Sequence, residues 1–487
     1  MRRIPVRSRP LMAATAALCF SACGGKAGFG TPATLPATGY QSISAVRELG
    51  HAKSKIQHVV IIIQENRSFN NLFYGYPGAK TVKYGLDSKK QKVTLQPIGL
   101  ATSWDLEHNP NGFIAACNGT GKKIPGTECR MNGFDREKWT CDTPKHPKCP
   151  IEYPPYAYVP HSETKPYFDM AHQYVLADEM FASNFDSTSF MSHQYIIAGV
   201  NPDASIGIPD GAWGCPGGKS DRISILGSNR VWPVGSERPC WDQETLGDEL
   251  NKAGKSWSFY ATPLGDENSK TCGHKGDDAA GEGSSNGRGI WSAYQTIEYI
   301  CYGPAWNAHV MTPPSKFLND IGRGKLSDVT WITPTFANSD HGGSGSATGP
   351  SWVASLVNAI GESQYWDSTA IFVFWDDYGG WYDPEAPEHL DNDGLGMRLP
   401  LLIISPYAKT GYVSHTHYEH GSILKFVENT FGLARMNSPD GSDVRANPPD
   451  DAFDFSQAPR KFVPIHAPLN GNYFKLQPLD WRPPDSD

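Results

Sequence analysis

Five β-branched residues in succession, Val59-Val60-Ile61-Ile62-Ile63, end abruptly in Gln64-Glu65-Asn66-Arg67. An unbroken apolar run of this length fits a strand buried on both faces, as found where helices cover a parallel sheet from both sides. Ligands of open α/β sheets sit just beyond the carboxyl ends of the strands. Glu65 and Asn66 therefore stand where oxygen ligands for a hard cation would be useful. The plainer alternative is a solvated strand end running into a capped helix.

The last third of the chain repeats the pattern. Val329-Thr330-Trp331-Ile332 precedes Asn338-Ser339-Asp340-His341, Thr369 to Trp375 runs into Asp376-Asp377-Tyr378-Gly379-Gly380, and Leu399 to Ile404 closes on Ser405-Pro406. Strands ending in polar turns and alternating with helical segments predict an α/β fold with a mostly parallel central sheet and one active edge. Adjacent carboxylates such as Asp376-Asp377 repel and raise each other's pKa. A divalent cation shared with Glu65-Asn66 removes that objection, and Gly379-Gly380 permits a close backbone approach beside it. Capping of the following turn is the alternative.

Between these strands, Ser187-Thr188-Ser189 leads into the apolar-periodic Tyr195-Ile196-Ile197-Ala198-Gly199. A hydroxyl there either caps the helix or attacks a phosphate held by the free N–H groups of the helix start. Asp105 and His108, at i and i+3, are expected to share a helical face. Tyr167 to Tyr174 and Trp241 to Leu250 read as helices and Trp257-Ser258-Phe259-Tyr260 as a short strand. The Gly265 to Gly289 stretch, with His274 and Asp277-Asp278, reads as a loop.

The 487 residues suffice for about three domains or for one large α/β domain with insertions. A net charge of −8 excludes a basic nucleic-acid footprint. The N-terminus carries Arg2, Arg3, Arg7 and Arg9, then an apolar stretch from Leu11 to Phe20, then small residues. That order makes residues 1–23 a secretory signal, and Phe20-Ser21-Ala22-Cys23 resembles a lipobox in which Cys23 would anchor the mature protein to a membrane. Residues 24–52 read as a flexible tether and 53–487 as a single catalytic domain. Export places the remaining cysteines, all between Cys117 and Cys301, in disulfides whose pairing the spacing leaves open.

Gln64-Glu65-Asn66-Arg67-Ser68-Phe69, the Ser189 turn, Asp340-His341, Asp376-Asp377-Tyr378-Gly379-Gly380, Arg398-Leu399-Pro400 and Ile404-Ser405-Pro406 together resemble the bacterial acid phosphatase and phospholipase C phosphoesterase family, from about Ile56 to Leu433. The resemblance implies an alkaline phosphatase-like three-layer sandwich with disulfide-stapled insertions. It implies that Glu65, Asn66, Asp376 and Asp377 bind one divalent metal ion and that Ser189 is the nucleophile, with Ser187 and Thr188 as neighbouring alternates. His108 and His341 would contact the phosphoryl group and deliver a proton to the leaving group. His420 would serve a supporting role, and His274 and His309 are candidates for a mid-chain histidine of the family. The sequence departs from the family pattern where Asp376-Asp377 replaces the more frequent Asp-Glu, a variation of its acid phosphatase side, and where Asp383-Pro384 replaces Asp-His.

The expected activity is an exported, metal-dependent phosphoesterase working through a phosphoseryl intermediate. Its substrates would be small phosphate esters, as for a broad acid phosphatase, because the chain stops before the extra C-terminal domains of many phosphatidylcholine-cleaving members. A phospholipase C acting on phospholipids is the alternative, with Trp213, Trp381 and Tyr382 as a conceivable choline cage. A non-catalytic ligand-binding lipoprotein is a further one.

Overall fold

The computed structural model describes residues 55–120, 128–144, 148–200, 205–210, 214–216, 221–262, 272, 291–436, 439–480 and 482. The signal, the Cys23 lipobox, the tether, Trp213, His274 and Asp277-Asp278 lie outside them. Among the described residues no helix is long and apolar enough to cross a membrane.

A central sheet is built from β1 (His58–Gln64), β2 (Val175–Phe181), β3 (Trp257–Tyr260), β4 (Val310–Met311), β5 (Val329–Ile332), β6 (Thr369–Trp375), β7 (Arg398–Ile404), β8 (Tyr412–Ser414) and β9 (Tyr418–Glu419). Its order is β4-β3-β5-β1-β6-β7-β2-β8, with β9 also on β2. The β-branched run of β1 lies at the centre, parallel to both neighbours, with Ile61 opposite Trp331 on one side and Phe372 on the other. Sheet and helices thus form the mostly parallel α/β architecture expected.

Which side each helix covers follows from the period of two along β6. Trp375 meets Tyr167 of the helix His161–Gln173. Phe372 and Phe374 point the other way and meet Phe426 and His420 of the helix His420–Phe431. Helices therefore lie on both faces of the sheet, and all seven residues of β6 are buried.

Two strands depart from expectation. The segment Leu399 to Ile404 belongs to β7, which is antiparallel to both β6 and β2. Its amino end, Arg398, is consequently the end that lies with the carboxyl ends of its neighbours, whereas Ser405-Pro406 lies at the opposite edge. The second departure is β2, unforeseen because Asp178 and Glu179 interrupt its apolar character. Both charges find partners: Asp178 accepts from Lys80 N at 2.8 Å, and Glu179 pairs with the Lys80 ammonium. The Asp105–His108 segment is not helical; the helix starts at Pro110, where Asn109 caps and proline's fixed φ suits the first turn.

Four disulfides join Cys117–Cys129, Cys141–Cys149, Cys215–Cys240 and Cys272–Cys301.

Candidate active site

Beyond the carboxyl ends of β1 and β6 the chain turns sharply and stays buried. Asn66 adopts a left-handed conformation, φ 54°, accessible to asparagine at small cost. Gly379 explains the tightness of the turn after β6: at φ 60°, a Cβ there would lie 2.2 Å from the Asn66 carbonyl oxygen. The close approach expected of the double glycine is therefore made against Asn66 itself. Glu65, Asn66, Asp376 and Asp377 are all fully buried.

Their partners converge on one hydroxyl. Ser189 begins the ten-residue buried helix Ser189–Ala198. Its Oγ donates to Asp377 Oδ2 at 2.8 Å and accepts from Asn66 Nδ2 at 3.0 Å. Asn66 Nδ2 also lies 3.0 Å from His108 Nε2 and 3.0 Å from Asp377 Oδ2. The alternates are engaged elsewhere: Thr188 donates to Asp186 at 2.9 Å, and Ser187 accepts from Met397 N at 2.9 Å.

The two histidines come together, with ring centroids 5.5 Å apart. His108 Nδ1 is 2.7 Å from the Leu106 carbonyl oxygen, which can only accept, so Nδ1 carries the proton and Nε2 is the acceptor facing Asn66. His341 Nδ1 donates to the Gly342 carbonyl and lies 3.6 Å from Asp105 Oδ2. Asp105, His108 and His341 form one group of side chains able to hold a metal ion. Asp340 does not join them. Its Oδ2 accepts from Tyr167 at 2.8 Å and from Trp375 at 3.0 Å, and burial pushes its carboxyl up to about 6. The role of Asp340 is to anchor the loop, helped by Gln64 Oε1 on its N–H and Arg67 Nε on its carbonyl at 2.7 Å.

A second group able to hold a metal ion is Glu65, His193 and Asp376. His193 Nε2 is 3.1 Å from Glu65 Oε1 and 3.7 Å from Asp376 Oδ2. His193 went unnoticed in the sequence, although its place one helical turn after Ser189 is the signal that could have found it. The carboxyl of Asp376 is raised chiefly by burial rather than by its neighbour Asp377, and the hydrogen bond from the Asn66 N–H opposes the rise. Asn66 Oδ1 and Asp376 Oδ2 are buried and make no hydrogen bond. Buried oxygens left bare are costly, and a hard cation among carboxylate and amide oxygens satisfies them. The donor set therefore fits a divalent ion.

Other expected residues fall elsewhere. His309 stacks on Trp257 at 4.0 Å and bonds its carbonyl, at the start of β3. His420 opens its helix against Phe374 and receives the Ser183 N–H at 3.4 Å. Asp383 pairs with Arg398, Nε to Oδ1 at 2.9 Å, within the core. Trp381 lies buried under the Arg67 guanidinium, and Tyr382 stacks on Tyr156.

The phosphoesterase family pattern matches residues 56–434. Phospholipase C A of Mycobacterium tuberculosis is 22% identical over 464 residues, which cover 88% of this chain and 82% of that protein. Hemolytic phospholipase C of Pseudomonas aeruginosa is 22% identical over 78% of this chain and 53% of its own length. A solved structure of an alkaline phosphatase superfamily protein from Vibrio parahaemolyticus aligns over 81% of this chain and 77% of its own, at 10% identity and a TM-score of 0.34.

Proposed function

From the premise that the chain belongs to the phosphoesterase family and is a hydrolase of phosphoric ester bonds, we propose that Ser189 is its nucleophile and that it cleaves phosphodiesters in the manner of a phospholipase C. One observation carries the nucleophile: Ser189 Oγ, at the start of a buried helix, is held between Asp377 Oδ2 at 2.8 Å and Asn66 Nδ2 at 3.0 Å. Asp377 takes up the hydroxyl proton, Asn66 orients the oxygen, and the positive end of the helix faces the phosphoryl oxygens. The Ser189–phosphorus bond forms as the bond to the leaving oxygen breaks; water then attacks phosphorus and releases the phosphate monoester as the proton held by Asp377 returns to the Ser189 oxygen. His108 and His341 contact the phosphoryl group, and the imidazolium form of one of them, protonated on its second ring nitrogen, gives that proton to the departing alkoxide.

Glu65, Asn66, Asp376 and Asp377 would hold one divalent ion, which when bound supplies positive charge against the serine and phosphoryl oxygens. Export belongs to the same proposal, with Cys23 as its lipid anchor. Four disulfides support an oxidising compartment.

The names of the relatives support the phospholipase C reading. A broad acid phosphatase is the second reading, favoured by the Asp376-Asp377 pair. Rates on phosphatidylcholine and on p-nitrophenyl phosphate decide between them; faster turnover of the monoester would install the second. For either substrate Ser189→Ala is expected to lower kcat by at least about a thousandfold with the fold intact. Turnover at the wild-type rate would remove Ser189 from its role.

A further inference from the structure

We propose that His193 is a positioning residue that holds the Glu65 carboxylate for the cation, and that it does so from the helix that carries Ser189. The inference rests on the reading of Glu65 as a metal ligand. Ser189 and His193 stand at i and i+4 of the helix Ser189–Ala198, so their side chains project from one face, one turn apart. Ser189 meets Asp377 and Asn66; His193 meets Glu65 at 3.1 Å and lies 3.7 Å from Asp376.

The chemistry of the contact fixes the tautomer. A carboxylate oxygen only accepts, so His193 Nε2 carries the proton and donates it to Glu65 Oε1. Nδ1 makes no hydrogen bond, which leaves the Nε2–H as the polar contact that the buried imidazole provides. The direct contact of two buried side chains suits His193 to orienting Glu65. An N–H donor behind a ligating carboxylate fixes its rotamer and removes the entropy of ordering it when the ion binds. Glu65 and the serine hydroxyl are then set by a single helix, so a shift of that helix displaces both together.

The experiment is Mn²⁺ binding to the metal-stripped full-length chain, by titration against a chelator of known affinity, for wild type, His193→Leu, His193→Gln and Glu65→Gln. Leucine fills the space without a donor, whereas the glutamine amide returns an N–H near the place of Nε2. His193→Leu is expected to bind Mn²⁺ about 10–100-fold more weakly, and His193→Gln to recover most of that loss. Equal affinity of His193→Leu and wild type overturns the positioning role while leaving Glu65 a ligand. Equal affinity of Glu65→Gln and wild type, or no binding by wild type, overturns the ligand reading and this inference with it. Should His193→Leu fail to fold, pulsed electron paramagnetic resonance of the Mn²⁺-loaded wild type takes its place. A directly coordinated histidine nitrogen that persists in His108→Gln and His341→Gln would make His193 a ligand and overturn the proposal; its absence agrees with a donor behind Glu65.

Discussion

Asp376 and Asp383 follow the same strand, are equally buried, and have opposite surroundings. Asp383 faces a guanidinium: Arg398 donates through Nε at 2.9 Å and Nη2 at 3.2 Å, and the Asn70 N–H adds a bond at 2.9 Å. Asp376 faces none among the described residues; it receives the Asn66 N–H at 3.3 Å, with an imidazole edge at 3.7 Å, and its Oδ2 makes no hydrogen bond. One carboxylate is complemented by the chain; under the proposed function the other takes its counter-charge from the bound ion. On that reading burial alone does not separate a structural acid from a functional one, whereas a built-in cation does.

The sharpest way to break this contrast is to neutralise each aspartate. Asp376→Asn is expected to cost activity more than the roughly hundredfold loss typical of outer-partner changes at metal sites, while the metal-free protein keeps or gains thermal stability because an uncompensated buried charge is gone. A metal-free Tm several degrees below wild type would place Asp376 with the structural acids. Asp383→Asn should do the reverse. It leaves the buried Arg398 without its counter-ion, at a cost of about 3–5 kcal/mol by chemical denaturation, with near-normal turnover per folded molecule.

The smallest effect concerns a third buried acid. Burial, with the neighbouring Asp443 adding repulsion, pushes the Glu428 carboxyl up from 4.5 to about 8 despite Arg435. Its proton is held more tightly in the folded than in the unfolded chain. The stability it contributes is thus complete below about pH 4.5 and lost as pH rises through about 8. Glu428→Gln should flatten this part of the Tm-versus-pH curve by about a few °C, and a curve of unchanged slope would count against the raised carboxyl.

The two halves of the site differed in how openly the sequence carried them. Val59 to Ile63 and Thr369 to Trp375 are legible because each is a long apolar run ended by acids, and a run of that kind needs burial on both faces of a strand. Asp178 and Glu179 hid β2, since the Lys80 contacts that make them tolerable come from a distant segment. Strand direction was illegible for β7, because the residues of an antiparallel strand inside a parallel sheet look no different from those of its neighbours. His193 was hidden for another reason: its meaning depends on Glu65, more than a hundred residues away in sequence, and on Ser189 being the hydroxyl that matters.

The four disulfides span only 12, 8, 25 and 29 residues. None of these four ties one strand of the central sheet to another. Each closes a short segment on itself, and short closed loops restrict the unfolded chain only locally. A reductant would therefore release these segments one by one while the sheet kept its order. They are, in effect, separately fastened cassettes that can be reshaped without renegotiating the sheet.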